Sequence, residues 1–290
     1  MMQKNVSLSI ADIGIRINSE LDFQLGDRCL SFISEVINPD FIINIYKYEE
    51  IDFDQYEKIN EQEKFSFYNV LGKIIKVKYN DEDNQNIRWY MHEEMNYISV
   101  CNVYVKDVNI LSSFSPLYFV NLSEFLIKYN AMIIHSSFIK YEDFGIVFSA
   151  PSGTGKSTQA ELWKKYYHAD ILNGDRTVIR LMKDDYMGYG SPYAGSSQIY
   201  RNESAKIKAI IVLRQAKHNK LRRLFGKEAF LCILSEMSIS QIDKNIIDKQ
   251  SNWIMSLLKT VPVYLLECLP DYGAVKLVHD ELKDVSFGER

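Results

Sequence analysis

One stretch constrains this chain more than any other: Gly145-Ile-Val-Phe-Ser-Ala-Pro-Ser-Gly-Thr-Gly-Lys-Ser-Thr158. It opens with a short apolar run of strand length, Gly145 to Ser149. From Lys156 to Tyr167 the residues Ala160, Trp163 and Tyr167 then fall on one face of a helix. Between the two lies Ala150-x-x-x-x-Gly-Lys-Ser157, the phosphate-loop pattern with alanine in place of its first glycine. The glycines have a physical task. A polyphosphate must lie against main-chain N–H groups, and Gly153 and Gly155 lack the Cβ that would hold it off and take positive φ at low cost. The helix that follows points its unpaired N–H groups and positive dipole end at the same anion. Ser152, Gly153, Thr154, Gly155, Lys156, Ser157 and Thr158 are therefore expected to bind ATP, with Lys156 on the terminal phosphates and the Ser157 hydroxyl on Mg²⁺. Ala150 departs little from the pattern, because alanine fits wherever φ stays negative.

The flanking sequence reads as two regions. From Val6 to about Val108 apolar residues recur with a period of two, in Phe41 to Tyr48, Lys73 to Tyr79, Ile87 to Met91 and Tyr97 to Val105, which predicts an antiparallel, strand-rich amino-terminal region. The polar run Asp81 to Asn86 reads as a solvated hairpin loop, not a metal site. Near Ser115-Pro116 the period changes: Tyr118, Phe119, Leu122, Phe125, Leu126 and Tyr129 share one helical face. A boundary at about residue 112 follows, with a strand-rich region over 1–112 and an α/β nucleotide-binding domain over 113–290. Within the latter, Ala131 to His135, Ile207 to Leu213 and Pro262 to Leu266 read as buried strands. Ile242, Ile246, Trp253, Leu257 and Leu258 mark a long amphipathic helix, and Tyr272 to Leu282 a last one.

The charge balance removes other classes. Lys and Arg number 34 against 38 Asp and Glu, a formal charge of −4, so no broad basic footprint for nucleic acid or an anionic membrane is expected. Cys29, Cys101, Cys232 and Cys268 are widely spaced, with no CxxC pair, and read as buried thiols of a reducing compartment. No window reaches the length of a membrane span and the first residues lack a signal-peptide core, so a cytoplasmic protein is expected. His92, in His-Glu-Glu-Met, lacks the second histidine of an HExxH helix and reads as structural.

Two further segments carry chemistry. Ile171-Leu-Asn-Gly-Asp-Arg176 is an apolar run ending in a turn with Asp175, and His135-Ser136-Ser137 ends a strand before the loop strand. In this order and spacing the chain resembles the HPr kinase and phosphoenolpyruvate carboxykinase superfamily, closest to its small HPr-kinase-like proteins. The resemblance is good from about Ala131 to Arg180, weaker over Tyr189 to Leu224, and absent before residue 112. It implies a mixed β-sheet carrying the nucleotide and an aspartate turn that activates a serine hydroxyl. Aligned on Arg176, Asp175 matches the second aspartate of the family's Asp-Asp-Arg turn, and Gly174 stands where the first would be. Aligned on the carboxykinase Gly-Asp turn, Asp175 becomes the metal-linked residue and His135 matches a histidine near the second metal. Both alignments keep Asp175 in the site.

Arg201 and Arg214 flank a buried strand and are candidates for neutralising transferred phosphate, a task suited to a planar, always-charged guanidinium. The loop Gly190 to Ser197 reads as either an acceptor groove or a plain turn. The expected function is an Mg²⁺-dependent kinase. Asp175, His135, Lys156 and Arg201 would be catalytic and Ser157 and Asp175 the metal ligands; the resemblance adds a serine of a peptide or small protein as acceptor. Two alternatives stand beside it: an ATP-binding module in which Gly174 has abolished transfer, and a carboxykinase-like enzyme acting on a small acid.

Overall fold

The computed structural model describes residues 2–62, 65–79, 86–95, 98–106, 108–113, 116–120, 122–237 and 244–284. The chain divides into two compact units, Met1–Asn121 and Leu122–Arg290.

The first unit is one eight-stranded sheet. In chain order its strands are β1 (Met2–Ile10), β2 (Ile13–Gln24), β3 (Phe41–Lys47), β4 (Glu57–Gln62), β5 (Phe65–Val70), β6 (Lys73–Tyr79), β7 (Ile87–Met95) and β8 (Ser99–Val105). Two short helices, α1 (Asp27–Leu30) and α2 (Ile110–Ser113), accompany them. The spatial order is β1-β2-β3-β8-β7-β6-β5-β4. The expected strands are present, but the sheet is mixed instead of antiparallel, because β3 runs parallel to both β2 and β8. Period-two alternation reports which face is buried and says nothing of strand direction. Direction follows from the connections: β2 reaches β3 through residues 25–40, long enough for a crossover that no tight hairpin would need.

Along β3, Phe41, Ile43 and Ile45 are buried and Ile42, Asn44 and Tyr46 are half-buried. Parallel register aligns Asn18, Asn44 and Asn102, whose amides hydrogen-bond in sequence at 3.0 Å each. His92 on β7 ends this row, near Asn102 and Glu94 and stacked on Tyr104, which is a structural setting. Of the Asp81 to Asn86 run, all but Asn86 lies outside the described residues.

The second unit holds α3 (Leu122–Leu126), β9 (Ala131–Tyr141), β10 (Phe144–Ser149), α4 (Lys156–Tyr167), β11 (Asp170–Asn173), β12 (Arg176–Met182), β13 (Asp185–Tyr189), β14 (Ser204–Gln215), β15 (Lys220–Leu224), α5 (Gly226–Ser235), α6 (Lys244–Thr260), β16 (Val263–Cys268) and α7 (Tyr272–Asp284). The helix expected over Tyr118 to Tyr129 is broken: 3₁₀ turns at Pro116–Tyr118 and Ile127–Tyr129 flank the five-residue α3. Its apolar face is still buried, since Leu122, Phe125 and Leu126 are in the core. Asn130, left-handed at φ 56°, stops it.

The sheet runs β10-β9-β12-β13-β14-β16-β15, with β11 beside β9 and β10 also parallel to β14. Helices cover both faces. Ala160 and Trp163 of α4 and Val275 and Val278 of α7 pack on one side of β10, β14 and β16. Ile233 of α5 and Trp253, Ile254 and Leu257 of α6 pack on the other. This is an α/β architecture built on a mixed sheet. Trp163 is wholly buried, and truncating it to alanine would cost about 3–5 kcal/mol. Among the described residues no helix is long and apolar enough to cross a membrane.

The cysteine reading needs one correction. Cys29 and Cys101 are buried, but Cys232 and Cys268 are only half-buried. Cys232 lies on α5 and Cys268 at the end of β16, each packed against the margin of a core cluster, where Gln159 of α4 donates to Cys268 Sγ at 3.5 Å.

Candidate functional site

The site forms where β9 changes partners. Residues 131–135 of β9 pair with β12, but 138–140 pair with β11 on the same side. The turn Asn173-Gly174-Asp175 fills the gap between them. On the other side β10 covers 136–141 and ends at Ser149, opposite Ser136. Beyond that end, Glu236 and Met237 take over: the His135 N–H donates to the Glu236 carbonyl at 2.8 Å, and Met237 bridges Ile134. His135 is thus not at a strand end, as its short apolar run suggested, but inside an eleven-residue strand. Its ring is left half-exposed, 28% by side chain, because both neighbouring strands stop beside it.

The turn is held by a buried asparagine. Asn173 has no exposed surface, and its Oδ1 accepts the N–H groups of Asp175 and Arg176 at 2.9 and 2.7 Å. Its amide donates to the carbonyls of Ser191 and Tyr193. The Ser136 N–H donates to the Asp175 carbonyl at 2.8 Å, which locks the turn to β9. The result sets Asp175 Oδ1 3.5 Å from His135 Nε2, with the Arg176 guanidinium 3.6 Å from Oδ2.

The loop 150–155 leaves the end of β10 and opens α4, as expected. Gly153 and Gly155 have φ of +77° and +119°, and a Cβ at either would meet nothing within 4 Å. Gly155 caps α4 without any side-chain hydrogen bond, so the N–H groups of the first turn have no side-chain cap. Lys156 is buried, and its Nζ donates to the Ala150 and Pro151 carbonyls at 2.7 and 3.3 Å. Burial lowers its pKa from the ordinary lysine range, while the charges of Glu236 and Asp175 oppose that shift. Those two carboxylates therefore lie within electrostatic range of the ammonium. Gln215, at the end of β14, donates to the Gly153 and Thr154 carbonyls and tethers the loop from the sheet side. A cleft of about 630 Å³ lies alongside, lined by Ala150 to Thr154, Arg214 and Glu236 among others.

These features fit a nucleotide tail: open space over the loop, N–H groups of a helix start, and a desolvated cation paired only with neutral carbonyls. Among the described residues no cluster of three or more His, Cys, Asp and Glu is arranged to hold a metal ion by itself.

No family model matches this chain, and no curated protein matches it either. Among solved structures it is similar to the HPr(Ser) kinase/phosphatase from Coxiella burnetii. The TM-score is 0.32 and the identity 13%, over 52% of this chain and 97% of that one. At that TM-score the likeness carries no statement about activity or substrate.

The structure thus brings together His135, Asp175 and Lys156, with Ser157 in the first turn of the helix that Lys156 opens. It does not bring Arg201 to them. Arg201 is 47% exposed and pairs with Asp170 at 3.1 Å and Glu203 at 3.7 Å, in the loop that links β13 to β14. Arg214 lines the cleft but pairs with Glu267. The Gly190 to Ser197 segment is a turn folded over the aspartate turn, its Gly195 against Asp175 and its Ser197 against Gly174. Sequence reasoning missed Glu236, whose Oε2 lies 3.1 Å from His135 Nδ1. It follows α5 with no motif around it, and only the return of the chain beside β9 reveals it.

Proposed function

We propose that this protein is an ATP-dependent phosphotransferase that moves the γ-phosphate of ATP to a hydroxyl. The observation that carries the reading is the meeting of a glycine-lined helix start and its buried lysine with a histidine–aspartate pair. The backbone of Gly153 to Thr158 would hold the phosphates and Lys156 would neutralise them. Ser157 and Asp175 are the residues that would hold Mg²⁺, which when bound supplies charge neutralisation on the phosphate oxygens. His135 or Asp175 would orient the acceptor hydroxyl for in-line attack. Positioning and electrostatics then account for most of the rate, as is general for phosphoryl transfer. A serine of a peptide or small protein is the acceptor favoured by the sequence resemblance.

One observation favours a second reading, a binding module that takes ATP without transferring phosphate. A side chain at position 174 would start 1.8 Å from Ser197 Oγ, so the turn contributes a single carboxylate. The two readings separate when purified protein is incubated with radiolabelled ATP, Mg²⁺ and a serine-peptide library. Label in peptide, lost in Lys156→Ala and reduced by orders of magnitude in Asp175→Asn, supports the transferase. Tight ATP binding with no label transferred supports the module, and no ATP binding at all removes both.

A further inference from the structure

We propose that Glu236 is a positioning residue that makes His135 the proton acceptor of this site. The inference rests on the phosphotransferase reading and decides between the two candidates that reading leaves for orienting the hydroxyl. Glu236 grips His135 twice: its carbonyl takes the backbone N–H at 2.8 Å, and its carboxylate lies 3.1 Å from Nδ1. The carboxylate is only 9% exposed, so its ionic hydrogen bond is little diluted by water. A carboxylate oxygen accepts, and the tautomer that pairs with it carries its proton on Nδ1 and donates it to Glu236. On the opposite edge of the ring, Nε2 is 3.5 Å from Asp175 Oδ1, a looser contact than the 3.1 Å one at Nδ1. In that tautomer Nε2 keeps the lone pair, on the side where Asp175 would hold the metal.

The arrangement divides labour between two carboxylates that flank one imidazole. A second acid cannot come from the aspartate turn, because Gly174 is closed by Ser197. It comes instead from the residue after α5, across the end of β10. Glu236 fixes the tautomer and stabilises the imidazolium, which leaves Asp175 for the cation. In the step itself, the acceptor oxygen forms a bond to the γ-phosphorus while its proton passes to His135 Nε2. The bond from the γ-phosphorus to the bridging oxygen breaks, and its electron pair leaves on ADP. His135 later returns the proton to solvent.

The test uses the full chain with ATP, Mg²⁺ and a serine-peptide library as probe. Glu236→Ala is expected to lower kcat by about 100-fold or more, close to the loss in His135→Ala, with the KM for ATP within about twofold of wild type. The double variant should lose no more than His135→Ala alone, and Glu236→Asp should recover part of the activity. Nitrogen-15 histidine spectra should show the His135 proton on Nδ1 in wild type and on Nε2 in Glu236→Ala. Glu236→Gln, which keeps shape but not charge, guards against a simple folding failure and should melt like wild type while losing at least about tenfold in kcat. Wild-type turnover in Glu236→Ala, or an Nε2-protonated ring in the wild-type protein, would overturn the proposal. If the wild-type protein transfers no phosphate, the phosphotransferase reading fails and the proton-acceptor role with it. The histidine spectra then judge the orientation by Glu236 separately.

Discussion

Gly195 lies directly against Asp175: a Cβ at position 195 would stand 2.7 Å from the aspartate Cγ and 3.0 Å from Oδ1. The residue is also left-handed, at φ +55°. The carboxylate is therefore backed by bare backbone, with His135 at 3.5 Å and Arg176 at 3.6 Å. Gly195→Ala should cost about 1–2 kcal/mol from the backbone alone and also push Asp175 out of place. Phosphate transfer should fall far more than the melting temperature does. Equal activity in the variant would show that the position of this carboxylate does not matter.

Gly174 makes a second close approach, to Ser197. An aspartate installed there should not be tolerated by the packing. Gly174→Asp forces its Cβ to within 1.8 Å of Ser197 Oγ and should destabilise the second unit by about 1–3 kcal/mol or more. Combining it with Ser197→Gly should recover much of the loss in urea unfolding. An unchanged unfolding midpoint in the single variant would contradict the packing described.

Lys156 gives the stability of the protein a pH dependence of defined sign. Burial holds its ammonium below the ordinary lysine range, so between those two values the native state binds fewer protons than the unfolded chain. Stability from this group therefore rises with pH across that alkaline window. The cost of the buried charge is fully present below the lowered value and absent above the ordinary one. Lys156→Met lacks this dependence, so the wild type should gain on the variant as pH is raised through the window. Parallel stability curves for the two proteins would refute it.

Asn173 carries more than its size suggests. Asn173→Ala strands the N–H groups of Asp175 and Arg176 and the carbonyls of Ser191 and Tyr193, at about 1–3 kcal/mol for each group left buried and unpaired. Asn173→Asp keeps the acceptor but sets a buried carboxylate oxygen against the Ser191 and Tyr193 carbonyls, and should be destabilised at least as much. Thermal unfolding orders the three proteins, and a Tm for Asn173→Ala within about 1 °C of wild type would exclude the role assigned here.

Much of this was legible in the sequence because local chemistry leaves local marks. Gly153 and Gly155 announce positive φ, Lys156 to Tyr167 shows one apolar face, and β6, β10 and α7 were readable from period and length. The short helix α3 was not, since Asn130 and the flanking 3₁₀ turns end it before its apolar face does. The parallel pairing of β3 was hidden for a different reason, because alternation is the same in either direction.

What the sequence determined by itself was the strand–glycine–helix unit from β10 to α4, whose conformation follows from residues a few positions apart. What only the tertiary structure decided was which side chains meet it. Arg201 is drawn into ion pairs with Asp170 and Glu203, whereas Glu236 comes to His135 from about a hundred residues away. That pairing depends on where β10 stops and which segment fills the space beyond it, and edge contacts of this kind between distant segments carry no period or spacing that a linear reading can detect.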